Sequence, residues 1–170
     1  MMSKIKPTLV LGIICLIVAL LLSSVNSVTS PIIKAAQDAK VQETLVQVLP
    51  DGKNFVKLDD ISDFPDIIDA IYTEDGGGYV FQLTVTGYKP GFVIMCGINA
   101  DGVVTGAEYT ISKETNGAEN GLGAKYVGAT NETVTAEIIG GSTKTSEAYY
   151  EAIKTALESF EILTGKEGAQ

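Results

Sequence analysis

The 170-residue sequence has no histidine, no arginine, no tryptophan and only two cysteines. Without histidine there is no imidazole general base, no histidine-containing triad and no imidazole metal site. Two cysteines are too few for a Cys-rich zinc or iron–sulfur centre, or for a disulfide scaffold. Cys15 and Cys96 lie in different parts of the chain and are expected to be small apolar fillers. All 12 basic residues are Lys, and they face 21 Asp and Glu, for a net charge of −9. That balance argues against nucleic acid as a partner, because neutralising phosphates requires a clustered basic face. No catalytic side-chain set and no metal-ligand set is legible, so redox or transfer chemistry here must come from a cofactor or a partner.

Charge is also missing locally. No charged residue occurs from Pro7 to Ile33. The densest part runs from Leu9 to Leu22, behind Lys4 and Lys6. A hydrocarbon core about 30 Å thick needs roughly 20 helical residues, and cytoplasmic flanks are Lys-rich. The expectation is one membrane-spanning helix from Pro7 to about Val28. It would be single-pass in the cell (inner) membrane, against lipid, with its N-terminus cytoplasmic and the rest extracytoplasmic. The alternative is a cleaved signal peptide ending near Val25-Asn26-Ser27. The expected domains are 1–30 (cytoplasmic N-terminus and transmembrane helix), 31–52 (helical stalk) and 53–170 (extracytoplasmic domain).

Beyond the stalk, five Asp fall between Asp59 and Asp69, but without the spacing or central Gly of a calcium loop; a solvated acidic face is expected. A meander follows. Strands are expected at 67–73, 79–86, 91–99 and 103–112, linked by Gly-rich or Asn-Ala-Asp-Gly turns. In the second, Tyr79, Phe81, Leu83 and Val85 alternate onto one face. Another alternating strand is expected at 133–139. A final helix, 146–160, is expected with Thr145 or Ser146 as N-cap. The fold class is therefore α+β: an antiparallel sheet with packed helices behind an N-terminal transmembrane helix.

Two Gly-rich segments remain. Residues 112–126 hold Gly117, Gly121 and Gly123 and lack the P-loop spacing; a plain surface loop is one reading. Residues 140–146 (Gly-Gly-Ser-Thr-Lys-Thr-Ser) put hydroxyls just before a helix N-terminus. There the unpaired first-turn N–H groups and the helix dipole favour an anion such as phosphate; an ordinary cap is the alternative.

The segment Gly140-Gly141-Ser142-Thr143-Lys144-Thr145-Ser146 resembles the Ser-Gly-Ala-Thr-x-Thr-Ser motif of the FMN-binding domain family. Gly87-Tyr88-Lys89-Pro90-Gly91-Phe92 resembles its Gly-Tyr-x-Gly segment, and residues 99–106 its Asp-x-Asp-Gly hairpin. Lys113-Glu114-Thr115 with Gly121-Leu122-Gly123 resembles its His-x-Glu-Thr-Pro-Gly-Leu-Gly loop, with extra residues between the halves. The chain departs from these motifs at Ser112, Glu137, Gly140 and Ser142.

The family includes the G subunit of the Rnf electron-transport complex and the C subunit of the Na⁺-translocating NADH:quinone reductase. The resemblance implies FMN joined through its phosphate to the hydroxyl of Thr143 by a separate flavin transferase. Gly141, Ser142, Thr145 and Ser146 would frame the phosphate. Glu114, Thr115, Leu122 and Gly123 would lie near the ring, and at least one of Tyr88 and Tyr126, the aromatics nearest the Gly-rich segments in sequence, is expected to contact it. The implied role is a membrane-anchored electron relay of an Rnf-type ferredoxin:NAD⁺ oxidoreductase coupled to Na⁺ or H⁺ translocation. Its partners would be the other subunits of that complex, and the chain would be a redox component, not a complete enzyme. The alternatives are the quinone-reductase C subunit, or an extracytoplasmic adaptor domain without a cofactor.

Overall fold

Alternation of large apolar residues at every second position, broken by Gly-rich turns, produces strands; threefold and fourfold spacing of apolar residues produces helices. The computed structural model describes residues 2–114, 117 and 119–167, without the side chains of 2–9, 25–28, 30–35, 166 and 167. The elements in chain order are helix α1 (Met2–Val48), strands β1 (Val56–Lys57), β2 (Ile68–Thr73), β3 (Tyr79–Thr86), β4 (Pro90–Ile98) and β5 (Val104–Ile111), a 3₁₀ turn (Gly123–Tyr126) and helix α2 (Thr143–Glu167). The chain divides into two compact units, Met1–Lys40 and Val41–Gln170.

Within the second unit the five strands form an antiparallel meander in sequence order. Short turns enforce this, because neighbouring strands joined by tight links can only run antiparallel. The central pair β3 and β4 is in register from Tyr79 opposite Ile98 to Val85 opposite Phe92. One face of the sheet carries Tyr79, Phe81, Leu83, Val85, Phe92, Ile94, Cys96 and Ile98, all buried. Against it pack Ala148, Tyr149, Ala152, Ile153, Ala156, Leu157 and Phe160 from one side of α2. Each fully buried large side chain contributes roughly 1.5–3 kcal/mol.

The other face is smaller: Val80 and Met95 meet Leu45, Val48 and Leu49 from the last turn of α1 and just beyond it. Close approach is possible because a Cβ at Gly97 would lie 2.3 Å from the Val48 carbonyl oxygen. That carbonyl, orphaned at the helix end, accepts the Thr105 hydroxyl at 2.6 Å.

Three expectations are corrected. No helix among the described residues is long and apolar enough to cross a membrane, so the transmembrane helix of the expected fold class is not found. The expected strand at 133–139 is irregular backbone. The β5 edge it would need is already used at one end, where Val104 N–H donates to Ala129 O and Gly128 N–H to Val104 O. Two of its own amides go to side chains instead: Glu137 N–H to the Tyr126 hydroxyl and Ile139 N–H to Ser146 Oγ. Finally, α2 begins at Thr143, so Thr145 and Ser146 sit inside its first turn and neither is the N-cap.

Candidate functional site

The start of α2 is shaped by Gly141, whose φ of +83° lies in the left-handed region that favours glycine. The resulting turn closes with Ser142 N–H on Ile139 O. The first bond of the helical ladder runs from Ser146 N–H to Ser142 O. The N–H groups of Thr143, Lys144 and Thr145 therefore precede the ladder, at the positive end of the dipole. Thr143 and Lys144 are exposed, Ser142 is half-buried, and Thr145 and Ser146 are buried. A Cβ at Gly140 or at Gly141 would meet nothing within 4 Å among the described residues, so the backbone leading to Thr143 is uncrowded there. These features fit a phosphate ester on Thr143: an exposed hydroxyl, unpaired N–H groups beside it, and free space.

The Ser146 hydroxyl closes the turn from inside, donating to Ser142 O and accepting from Ile139 N–H, each at 3.1 Å. The Thr145 hydroxyl turns the other way and donates to Glu114 Oε2. Glu114 is the junction of the region. Its carboxylate also accepts Tyr88 N–H at 3.1 Å and Lys89 N–H at 3.0 Å. Partial burial opposes its ionisation, but these three donors and the nearby Lys89 charge outweigh that and hold its pKa below the usual glutamate value. One side chain thus joins three segments distant in sequence, at residues 88–89, 114 and 145.

The remaining candidates divide by burial. Leu122 and Tyr126 are fully buried core residues. Tyr126 stacks on Tyr149, with centroids 6.0 Å apart and planes at 4°, and burial pushes its phenol pKa up. Gly123 lies against β5: a Cβ there would fall 1.6 Å from Ala107 O. Tyr88, by contrast, is 64% exposed, so its ring is free to form a contact face. Thr115 lies outside the described residues.

Sequence reasoning did not single out Glu119. Its side chain is 7% exposed, its Oε1 accepts the Ser112 hydroxyl at 2.8 Å, and its Oε2 has no partner among the described residues. Ser112 Oγ in turn accepts Glu114 N–H at 3.1 Å. The signal was one acidic residue in a Gly- and Asn-rich loop, indistinguishable in sequence from a solvated one. Glu137, one of the departures from the family motif, forms an exposed pair with Lys125 at 3.3 Å, of small energetic consequence.

A cleft of about 320 Å³ lined by Asp101, Thr130, Glu132, Leu157, Phe160 and Glu161 borders the far part of α2. It lies some 20 Å along the helix from Thr143 and is separate from this site. Among the described residues no group of three or more Cys, Asp or Glu is placed to hold a metal ion.

Residues 87–158 match the model of the FMN-binding domain family. The matched stretch opens at Gly87 and includes Glu114, Thr143 and Thr145, so the junction built by Glu114 falls within it. The match supports FMN as the cofactor and a flavin-based redox role for this domain. No curated protein matches the chain.

Proposed function

We propose that this chain is the electron-relay subunit of an Rnf-type ferredoxin:NAD⁺ oxidoreductase coupled to Na⁺ or H⁺ translocation, with FMN esterified through its phosphate to Thr143. The observation that supports it most is the exposed Thr143 hydroxyl at the open N-terminus of α2, inside the stretch that matches the FMN-binding domain. When bound, FMN supplies electron transfer in one- or two-electron steps. The chain's own residues do the holding. The N–H groups at the start of α2 neutralise the phosphodiester charge. Tyr88 offers an exposed aromatic face to the isoalloxazine ring. Glu114 and Ser146 fix the backbone on which the ester is carried. The partners in this reading are the other subunits of the complex and the flavin transferase that makes the ester. An extracytoplasmic location belongs with it, because a covalent tether keeps FMN from loss by dilution.

Intact mass of the chain expressed alongside a flavin transferase tests the reading. The expected result is one added FMN, mapped by peptide fragmentation to Thr143. A colourless protein of unmodified mass rejects it.

A further inference from the structure

Thr143 and Thr145 stand two residues apart, both with hydroxyls, both in the first turn of α2. A transferase that recognises this turn has two chemically equal nucleophiles to choose from. The structure separates them by environment. Thr143 is exposed, whereas Thr145 is 3% exposed and its hydroxyl proton is already committed to Glu114. The same carboxylate is held by the Tyr88 and Lys89 amides, so it cannot swing out without losing both. With three donors on its two oxygens, Glu114 has little acceptor capacity left for a ligand. Its backbone is restrained as well, through its N–H bond to Ser112 Oγ.

We propose that Glu114 is a positioning residue that selects between the two threonines for flavinylation, latching Thr145 inward so that of this pair only Thr143 presents a free hydroxyl. This rests on the reading of Thr143 as the attachment residue. In the step it governs, the Thr143 oxygen forms a new bond to the FMN phosphorus of a flavin dinucleotide donor. The pyrophosphate P–O bond breaks, the nucleoside monophosphate leaves, and the hydroxyl proton is released to solvent; no electrons change hands. A Thr145 oxygen held against a carboxylate and buried cannot reach such a phosphorus, and the carboxylate's negative charge repels the phosphate. Glu114 thus acts through Thr145 and touches neither the nucleotide nor the reacting atoms.

The test uses the full chain in two measurements. The first is amide hydrogen exchange on protein made without the transferase, comparing wild type with Glu114→Ala and with Glu114→Gln, which keeps the side-chain size should the alanine variant fail to fold. The peptide covering residues 87–91, whose Tyr88 and Lys89 amides lose a charged acceptor, should exchange at least about tenfold faster in the variants, and the laddered amides of 143–147 should also exchange faster as the first turn loosens, with the sheet unchanged. Unchanged exchange in both segments overturns the latch. The second is peptide mapping of FMN after expression with the transferase. Wild type should carry FMN on Thr143 alone, the variants on Thr143 and Thr145, and adding Thr145→Val to either variant should restore a single site. FMN on Thr143 alone in both Glu114 variants, despite faster exchange, overturns the selection. A wild-type chain without FMN rejects the attachment reading and the selection with it, while the exchange result still decides the latch.

Discussion

At the scale of single residues, the site depends on which polar groups are committed and which are free. Thr143→Val keeps the shape of the side chain and removes the ester oxygen. It should leave the domain folded, since an exposed near-isosteric change shifts stability by less than about 1 kcal/mol, and abolish covalent flavin. In-gel fluorescence under denaturing conditions reads this directly; a band as bright as wild type would move the flavin elsewhere. Glu114 should also make the region pH-sensitive. Its pKa is depressed in the folded chain relative to the ordinary value of 4.5. Its contribution is therefore complete above that value and is lost as pH falls through the lower, folded-state pKa. Stability measured by denaturant melts should fall between about pH 5 and pH 2 more steeply in wild type than in Glu114→Gln. Parallel curves would show that Glu114 does not contribute.

At the scale of elements, two close contacts hold the layers together. Gly123→Ala would force its Cβ to within 1.6 Å of the Ala107 carbonyl oxygen, which is β5 backbone held in register opposite Cys96 of β4 and cannot yield. A loss of about 3 kcal/mol or more is expected, seen as a large drop in denaturant midpoint. A loss under about 1 kcal/mol would mean the 3₁₀ turn is free to lift away from β5. On the opposite face, Leu45→Ala empties a fully buried position against the sheet and should cost about 2–5 kcal/mol. Thr105→Val unpairs the Val48 carbonyl and should cost about 1 kcal/mol. If both leave the melting curve unchanged, the last turn of α1 is not part of the domain's core.

At the scale of the whole molecule, the compact unit Val41–Gln170 is expected to fold on its own. A chain truncated to begin at Val41 should therefore keep the melting midpoint and sheet content of the longer protein. A chain begun at Gly52 loses Leu45, Val48 and Leu49 and exposes Val80 and Met95. It should melt lower and bind hydrophobic dye. Equal midpoints for the two truncations would place the domain boundary after Leu49.

The strands were legible because their cause is local. Alternation in 79–86 and Gly-rich turns on either side leave few ways to bury Phe81 and Leu83, and the same logic marked the apolar side of α2. The resemblance of residues 140–146 to a family motif was legible for the same reason, being a run of contiguous residues. What only the tertiary structure decided concerns competition between distant groups. The stretch 133–139 alternates like a strand, but the side chains of Tyr126 and Ser146 take two of its amides and the backbone of Gly128 and Ala129 takes part of the neighbouring edge. Leu122 and Tyr126 look in sequence like loop residues free to meet a ligand, yet packing on Tyr149 and α2 draws them into the core. Thr143 and Thr145 carry identical hydroxyls, and a carboxylate 31 residues away from Thr145 sets them apart. A sequence specifies which groups can bond; which bonds form depends on where folding brings their competitors, and that is a property of the assembled chain.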